Sequence, residues 1–208
     1  MDLSTPLATI APTLDAGVLQ VLAATTSGCT AAEVHRRLRR GSDEGVRKVL
    51  GRLVGQGIVA VETVARSSVY RLNREHLAAR HIIGLTRLRD ELVEHVRSEV
   101  ERWDPPPLHA ALFGSFARGE ADADSDVDVL LVRPDRWDES REESWLRQVD
   151  TLDRHVLAWT GNEAHVVDLT SDTLREMVLA RDPLVDSWWA DGVHLAGERM
   201  TDLTTRPR

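Results

Sequence analysis

The sequence has little cysteine and no long hydrophobic run. Cys29 is the only cysteine among 208 residues, so no disulfide can form within the chain, which suits a reducing cytoplasm. No apolar run approaches the roughly 18 to 20 residues that span a bilayer, and the first residues lack the basic start of a signal peptide. The eight histidines show no ligand spacing with the cysteine, so no zinc site is predicted. We expect a cytoplasmic protein without membrane contact.

The charge is unevenly distributed along the chain. The formal net charge is −8, but residues 1–80 carry a balance of +4 and the remaining residues −12. With 42% hydrophobic and 29% charged residues, the chain has enough apolar material for one large domain or two small ones. A basic front and an acidic back suit a nucleic-acid-binding module fused to a metal-binding module.

Two apolar segments frame the most informative stretch. Residues 109–113 have the length and composition of a buried strand, and residues 127–132 form a second apolar run at hairpin distance. Because alternate side chains of a strand face the same side, Asp126 and Asp128 are expected to point together. Two carboxylates in one small space repel each other unless a cation lies between them, and Mg²⁺ suits hard oxygen ligands. The pattern therefore predicts a magnesium site.

The turn between these segments is suited to phosphate. At Gly114 and Ser115 the first apolar run stops, and a residue without a Cβ lets backbone N–H groups and a hydroxyl approach phosphate oxygens closely. Combined with the two aspartates, this predicts a site for a magnesium-bound nucleoside triphosphate. The alternative is a surface hairpin with a solvated acidic loop that contains Glu120, Asp122 and Asp124.

These residues carry a family resemblance. The pattern Gly114-Ser115, then Gly119, then Ser125-Asp126-x-Asp128 resembles the signature of the DNA polymerase β-like nucleotidyltransferase superfamily, and above all its small minimal members. The resemblance covers about twenty residues. It implies transfer of a nucleoside monophosphate, most simply AMP from ATP, to a hydroxyl on a protein, an RNA or a small molecule. A descendant that binds nucleotide without transfer is the alternative.

The resemblance also implies roles for particular residues. Asp126 and Asp128 would bind two Mg²⁺ ions, and a third carboxylate on a later strand would complete the site. The nucleotide would be bound by four residues, namely Gly114, Ser115, Arg118 and Ser125. Family members often have a basic residue where Phe116 stands, so phosphate binding must rely on the others.

Asp168 is the best candidate for the third catalytic carboxylate. Residues 163–170 have the composition of a strand, and Val166 and Val167 make both of its faces apolar, so Asp168 is expected to be buried. A lone buried aspartate is costly without a cation or hydrogen bonds, which favours a metal ligand. Two alternatives stay open: Asp168 as a cap where the next helix begins, and Glu163 as the third carboxylate.

The basic front predicts a winged helix-turn-helix. Helical patterns cover residues 14–24, 30–38 and 42–55, and two strand-like segments follow at residues 58–64 and 68–72. This order resembles bacterial MarR- or ArsR-type regulators. In such a fold the third helix enters the major groove of duplex DNA. In this sequence Ser42 and Asp43 lie at the start of that helix. The predicted DNA-binding residues are Arg47, Lys48 and Arg52 on that helix and Arg66 in the wing. The alternative is a module for protein contacts or dimerisation.

The sequence thus predicts an α+β protein of two domains. Residues 1–76 form the winged helix, residues 77–107 a single long linker helix and a proline-rich junction, residues 108–200 a nucleotidyltransferase domain with a small mixed sheet flanked by helices, and residues 201–208 a flexible tail. The linker helix is also a candidate surface for a homodimer.

Three functional hypotheses follow from this organisation. The first is a nucleotidyltransferase coupled to DNA binding, as in a toxin–antitoxin pair that regulates its own promoter. The second is a transcriptional regulator whose nucleotidyltransferase-like domain only senses nucleotide or metal. The third is a pure interaction protein, which would show no metal-dependent nucleotide binding.

Overall fold

The computed structural model describes residues 1–204, which divide into two compact units. Residues 4–88, with Asp2, form the N-terminal unit, and the chain from Arg89 onward, with Met1 and Leu3, forms the C-terminal unit. No helix within residues 1–204 is long and apolar enough to cross a membrane. The predicted α+β class with two domains is confirmed, and each unit is described separately below.

The N-terminal unit has three helices followed by a β-hairpin, the predicted winged-helix order. A short 3-10 helix, Pro6–Thr9, precedes them. The further elements are α1 (Leu14–Ala23), β1 (Cys29–Thr30), α2 (Ala31–Leu38), α3 (Asp43–Gly55), β2 (Val59–Val64), β3 (Ser67–Leu72) and α4 (Ala79–Leu85). The three strands form an antiparallel sheet in the order β1-β3-β2. Val18, Leu22, Val34, Val46 and Leu50 are fully buried in the core between the helices.

Local side-chain caps explain where two of these helices begin. The hydroxyl of Thr30 accepts the N–H of Glu33 at 3.3 Å, and the Glu33 carboxylate accepts the N–H of Thr30 at 2.7 Å, a reciprocal capping box. The hydroxyl of Ser42 accepts the N–H of Gly45 at 3.1 Å at the start of α3. Both starts confirm the prediction from sequence.

The single long helix predicted for the linker is wrong, because the structure has two helices there. α4 ends at Leu85 and α5 (Leu88–Val100) begins three residues later. At the break the Thr86 hydroxyl donates to the carbonyl of Ile83 at 2.8 Å, and the N–H of Arg87 donates to the carbonyl of Gly84 at 2.9 Å, three residues back instead of four. α4 buries Ile82 in the N-terminal core, and α5 buries Val96 and other residues in the C-terminal core. The apolar stripe therefore packs within the chain.

The C-terminal unit is built on a four-stranded mixed sheet. Its elements are α5, β4 (His109–Leu112), α6 (Gly114–Arg118), β5 (Val127–Arg133), α7 (Glu139–Thr160), β6 (Ala164–Thr170), α8 (Ser171–Ala180), α9 (Pro183–Asp191), β7 (Val193–Gly197) and α10 (Met200–Leu203). The strand order is β6-β5-β4-β7, with β5 and β6 parallel and the other pairs antiparallel. The flexible tail predicted for residues 201–208 overlaps α10, and residues 205–208 lie outside the described part of the chain.

The two faces of this sheet bury different cores. Val129 and Leu131 point toward α5 and α7, where Trp145 is fully buried. Leu130 and Val132 point the other way, toward a core formed with Phe113, Leu174, Val185, Trp188 and Met200. Side chains that alternate along β5 therefore belong to separate cores, and this alternation decides which residues reach Asp128.

His109 predicts a pH dependence of stability. His109 is 3% exposed, and this burial is the main cause that lowers the pKa of its imidazole. Nearby His194 lowers the pKa further, whereas the hydrogen bond to the Glu198 carbonyl raises it. The unfolded chain therefore binds the proton more readily, so this contribution to stability is present above about pH 6.5 and is lost as the pH falls toward the folded pKa. We expect wild type to lose more thermal stability than His109→Gln between pH 7 and pH 5. Equal losses in the two proteins would contradict this.

Candidate active site

The predicted turn after β4 is a helical turn, α6. It begins at Gly114, whose φ of +68° lies in the left-handed region that glycine adopts without steric cost, and its C-cap is Gly119. Arg89 on α5 satisfies carbonyls of this helix: its Nε donates to the oxygen of Phe116 at 3.1 Å and its Nη2 to that of Ala117 at 2.8 Å. The turn is thus held by an arginine from another element.

Gly114 lies directly against Asp128. A Cβ on residue 114 would come 2.0 Å from Asp128 Oδ2, closer than real Cβ contacts. The N–H of Phe113 donates to the carbonyl of Asp128 at 3.0 Å, so strand pairing fixes this approach. The turn predicted to bind phosphate therefore contacts a carboxylate predicted to bind metal.

We expect Gly114→Ala to destabilise the protein by about 1 to 3 kcal/mol, because the backbone is strained for an L residue and the methyl displaces the carboxylate. Gly119→Ala is the matched control, since its φ is also positive, at +73°, but nothing lies within 4 Å of its Cβ. Urea unfolding of the two variants separates the collision from the backbone strain. A loss in Gly114→Ala no larger than that in Gly119→Ala would argue against the collision.

The two aspartates have different surroundings. Asp126 lies in the loop just before β5, is exposed, and has no hydrogen bond or ion pair with another side chain in residues 1–204. Asp128 lies within β5, and 22% of its side chain is exposed. Asp128 lies on the side of Gly114, whereas Asp126 precedes the strand, so the alternation that was expected to pair it with Asp128 does not extend to it.

A histidine approaches Asp128 from the neighbouring strand. In the parallel pairing of β5 and β6, Asp128 is opposite His165, so both side chains lie on the same face. The Nδ1 atom of His165 is 3.1 Å from Asp128 Oδ1. His165 is not among the residues predicted from sequence, because only carboxylates on this strand were expected to act as ligands. Residues 163, 165 and 167 face the same side of the chain. Once the strand register is known, this alternation shows that His165 lies on the face of Asp128.

Asp168 does not join the other aspartates, so its assignment as a metal ligand is corrected. It pairs with Leu131 and therefore lies on the opposite face of the sheet from Asp128. There its Oδ2 accepts the Trp145 Nε1–H at 2.9 Å, and its Oδ1 lies 3.4 Å from Arg133 Nε. The expected full burial is also wrong, because β6 is an edge strand and 26% of the Asp168 side chain is exposed.

The two alternatives for this region are also decided by position. Thr170, not Asp168, caps α8, because its hydroxyl accepts the N–H of Thr173 at 3.2 Å. Glu163 precedes β6 and shares the parity of His165, but it is exposed and has no side-chain partner within the described residues. Neither Asp168 nor Glu163 therefore supplies a third carboxylate in contact with Asp128.

The predicted nucleotide-binding residues are only partly free to bind. Ser115 is half-buried, and its hydroxyl makes no hydrogen bond within residues 1–204. Arg118 is held by two carboxylates, with Nε 2.8 Å from Glu120 and Nη1 3.4 Å from Asp191, which raise its pKa. Ser125 donates to Asp122 at 2.7 Å within the acidic loop, and this bond lowers the pKa of Asp122.

The donor set fits a divalent cation only in part. Asp126 and Asp128 offer hard oxygen ligands, as Mg²⁺ and related ions prefer. No group of three histidine, cysteine, aspartate or glutamate side chains across the described chain is close enough to hold a metal ion. A bound ion would therefore require Asp126 to move toward Asp128 and phosphate oxygens to supply further ligands.

The predicted DNA-binding residues of α3 are exposed but paired. Arg47 contacts Asp43 at 2.7 Å, Lys48 contacts Glu44 at 2.9 Å, and Arg52 contacts Asp15. Exposed pairs of this kind contribute little to stability, so they can exchange partners at low cost. Arg66, at the tip of the hairpin, is exposed and has no ion pair within residues 1–204.

Comparisons with known proteins give one family match for each of the two units. Residues 90–180 match the family model described as a nucleotidyltransferase domain, and residues 12–95 match the penicillinase repressor model. A solved structure described as a toxin–antitoxin with AMP-PNP aligns with 17% identity and a TM-score of 0.32 over 55% of this chain and 77% of that chain. The curated proteins gave no match. The C-terminal unit is thus similar to nucleotidyltransferase domains and the N-terminal unit to the penicillinase repressor, each over less than half of the chain.

Proposed function

We propose that the C-terminal unit is a metal-dependent nucleotidyltransferase that moves a nucleoside monophosphate, with AMP the first candidate, from a triphosphate to a hydroxyl. The contact of Gly114 with Asp128 carries this proposal, since it joins a turn suited to phosphate with a carboxylate suited to a divalent cation. The family match over residues 90–180 supports the same reaction class.

In the proposed reaction the acceptor hydroxyl loses its proton to solvent, its oxygen bonds to the α-phosphorus, the bond to the oxygen bridging the β-phosphate breaks, and pyrophosphate leaves. The backbone of Gly114 and the hydroxyl of Ser115 hold the β- and γ-phosphate oxygens. Asp126 and Asp128 are the residues that would hold divalent ions, which would supply charge stabilisation to the reacting oxygens. Arg118 contributes to phosphate binding only after it leaves Glu120 or Asp191.

The test is transfer of label from α-labelled nucleoside triphosphates. The purified full chain is incubated with each of the four labelled nucleoside triphosphates in the presence of Mg²⁺ or Mn²⁺, both alone and with host lysate. A parallel reaction contains EDTA. Label in protein, RNA or a small molecule that is abolished by EDTA supports the proposal and names the acceptor class. No transfer under any of these conditions, despite bound nucleotide, would refute it.

We further propose that the N-terminal unit binds duplex DNA. The repressor match over residues 12–95 and the basic balance of residues 1–80 support this. In the proposed complex α3 enters the major groove, while Arg47, Lys48 and Arg52 exchange their carboxylate partners for phosphates or bases. The finer likeness to the MarR or ArsR type stays a prediction, as do the cytoplasmic location and the homodimer.

Gel shifts at several salt concentrations test the DNA contact. Because Arg66 is exposed and unpaired, we expect Arg66→Ala to reduce the slope of log affinity against log salt by about 0.9, the value for one lost phosphate contact. Glu75→Ala, a charge change at another exposed position, is the control. An unchanged slope in Arg66→Ala would exclude Arg66 from the interface.

A sensor that binds nucleotide without transfer is the second candidate. It is favoured by the lack of three assembled metal-binding side chains within residues 1–204 and by the carboxylates that hold Arg118. This candidate predicts that nucleotide changes DNA affinity while no label is transferred. For the transferase proposal, by contrast, the acceptor of the label would be the partner protein of a toxin–antitoxin operon.

A further inference from the structure

We propose that Asn162 is a positioning residue for the proposed transfer reaction: its carboxamide holds the acidic loop of residues 122–125 and thereby fixes the place of Asp126. This inference rests on the proposed function, because Asp126 belongs to the same site. Within residues 1–204 the Asn162 side chain makes no hydrogen bond to the carboxylate of Asp126 or Asp128, so it acts on the reaction through the loop.

The carboxamide of Asn162 faces three carbonyl oxygens of this loop. Its Nδ2 lies 2.8 Å from the oxygen of Ser125, 3.3 Å from that of Asp122 and 3.4 Å from that of Ala123. An asparagine amide has two N–H donors to share among these acceptors. The shortest contact is with Ser125, the residue directly before Asp126, so the amide holds the chain at the point where Asp126 begins.

Asn162 is itself held in one orientation. The residue is 4% exposed, and its N–H donates to Thr160 Oγ1 at 3.0 Å. On the other side of the carboxamide, Oδ1 accepts a hydrogen bond from the amino group of Met1. A buried polar side chain whose donor and acceptor sides are both bonded keeps its orientation, because any rotation would leave these groups unpaired.

A backbone hydrogen bond fixes the chain on the other side of Asp126. The N–H of Val127 donates to the carbonyl of Glu163 at 2.9 Å. Asn162 and Glu163 therefore hold the two neighbours of Asp126, the first through Ser125 and the second through Val127. The backbone of Asp126 is fixed between these bonds, so only its side chain is free to turn toward the rest of the site.

The other hydrogen bonds of residues 122–125 lie inside the loop. The Ser125 hydroxyl donates to Asp122 Oδ1 at 2.7 Å, and the N–H of Asp124 donates to the same oxygen at 3.1 Å. These bonds shape the loop but do not attach it to another element. In the described part of the chain, Asn162 is the side chain outside the loop that bonds to it, so loss of its amide leaves loop carbonyls without their donor.

The first measurement is amide hydrogen exchange of the full chain, followed by nuclear magnetic resonance without nucleotide or metal. Asn162→Asp keeps the shape of the side chain and the acceptor toward Met1, but it places an oxygen against the loop carbonyls. Asn162→Ala is the second variant and removes the carboxamide. Gln148→Ala is the matched control, because the Gln148 carboxamide on α7 also bonds to a loop backbone, at the N–H of Asp104 (2.8 Å) and the carbonyl of Pro105 (3.4 Å).

We expect the amide of Val127 to exchange at least about tenfold faster in both Asn162 variants than in wild type, because the loop before it opens locally. This increase should exceed any increase at Leu130, in the centre of β5, whose exchange reports global unfolding. Gln148→Ala should leave the rate at Val127 unchanged. An equal rate at Val127 in wild type and in the folded Asn162 variants would overturn the inference.

The second measurement is a double-variant cycle of transfer rates with Asp126→Asn. We expect Asn162→Asp to lower the rate by about a hundredfold, as a misplaced group in an active site does. In the Asp126→Asn background the same change should lower the rate by less than about threefold, because the carboxylate that Asn162 positions is already absent. A residue needed only for folding would lower the rate equally in both backgrounds.

The outcomes separate this inference from the proposed function. Equal losses of transfer in the two backgrounds would overturn the role of Asn162 and leave the proposed transferase intact, as would unchanged exchange at Val127 in a protein that transfers label. No transfer of label by the folded wild-type protein would overturn the proposed function and this role with it.

Discussion

Replacing Asp128 with asparagine is expected to lower nucleotidyl transfer by about a thousandfold or more, while Asp168→Asn leaves the rate within about threefold of wild type. Asp128 is the carboxylate that contacts both Gly114 and His165. In the proposed reaction its charge would hold a divalent ion, and such an ion contributes several kcal/mol to the transition state. Asp168 lies on the other face of the sheet, so the loss of its charge does not reach the reacting atoms.

The measurement is the initial rate of label transfer at saturating nucleotide, with circular dichroism to confirm that each variant is folded. Asparagine is nearly isosteric with aspartate, so Asp128→Asn keeps the packing against Gly114. A loss of activity in Asp168→Asn as large as that in Asp128→Asn would contradict the register-based assignment and restore Asp168 as the third carboxylate.

Replacing Trp145 with alanine is expected to destabilise the C-terminal unit by about 3 to 5 kcal/mol, the usual cost of removing a fully buried aromatic side chain. Trp145 is completely buried on α7. Its ring packs edge-on against Trp103 with centroids 5.2 Å apart, and its Nε1–H donates to Asp168. Few single changes in this unit would remove both a core side chain and a bond between α7 and β6.

Urea unfolding followed by far-ultraviolet circular dichroism measures this loss, with Leu146→Ala as the control. Leu146 is the next residue on α7 but is 56% exposed, so its truncation should change stability by less than about 0.5 kcal/mol. Trp145→Phe keeps most of the buried surface and removes only the donor to Asp168. A loss below about 1 kcal/mol in Trp145→Ala would show that α7 and the sheet are not packed as described.

Together these experiments separate a structural role from a catalytic one on the two faces of the sheet. Asp168 belongs to a structural group with Trp145 and Arg133 on one face of the sheet. His165 and Asp128 belong to the active-site face. Transfer activity should therefore respond to Asp128→Asn and stability to Trp145→Ala, and a loss of transfer in folded Trp145→Phe as large as that in Asp128→Asn would contradict this separation.

Local sequence determined the secondary structure elements and the main signature. The capping residues Thr30 and Ser42 fix the starts of α2 and α3 through bonds to nearby N–H groups, so both starts were predictable. The apolar runs around Gly114 identified β4 and β5 because their composition matches buried strands. The break between α4 and α5 was not predicted, since the apolar stripe continues across it, while α4 packs in one core and α5 in the other.

Only the tertiary structure decided which residue of β6 meets Asp128. Both faces of β6 carry valine, so its sequence gives no preference for one face, and a shift of one residue in the register would exchange His165 for another side chain. The pairing of Asp128 with His165 depends on contacts between β5, β6 and the helices on either side. The partners of Arg118 likewise include Asp191, 73 residues away. Such contacts depend on side chains that are distant in the sequence, so local sequence patterns do not predict them.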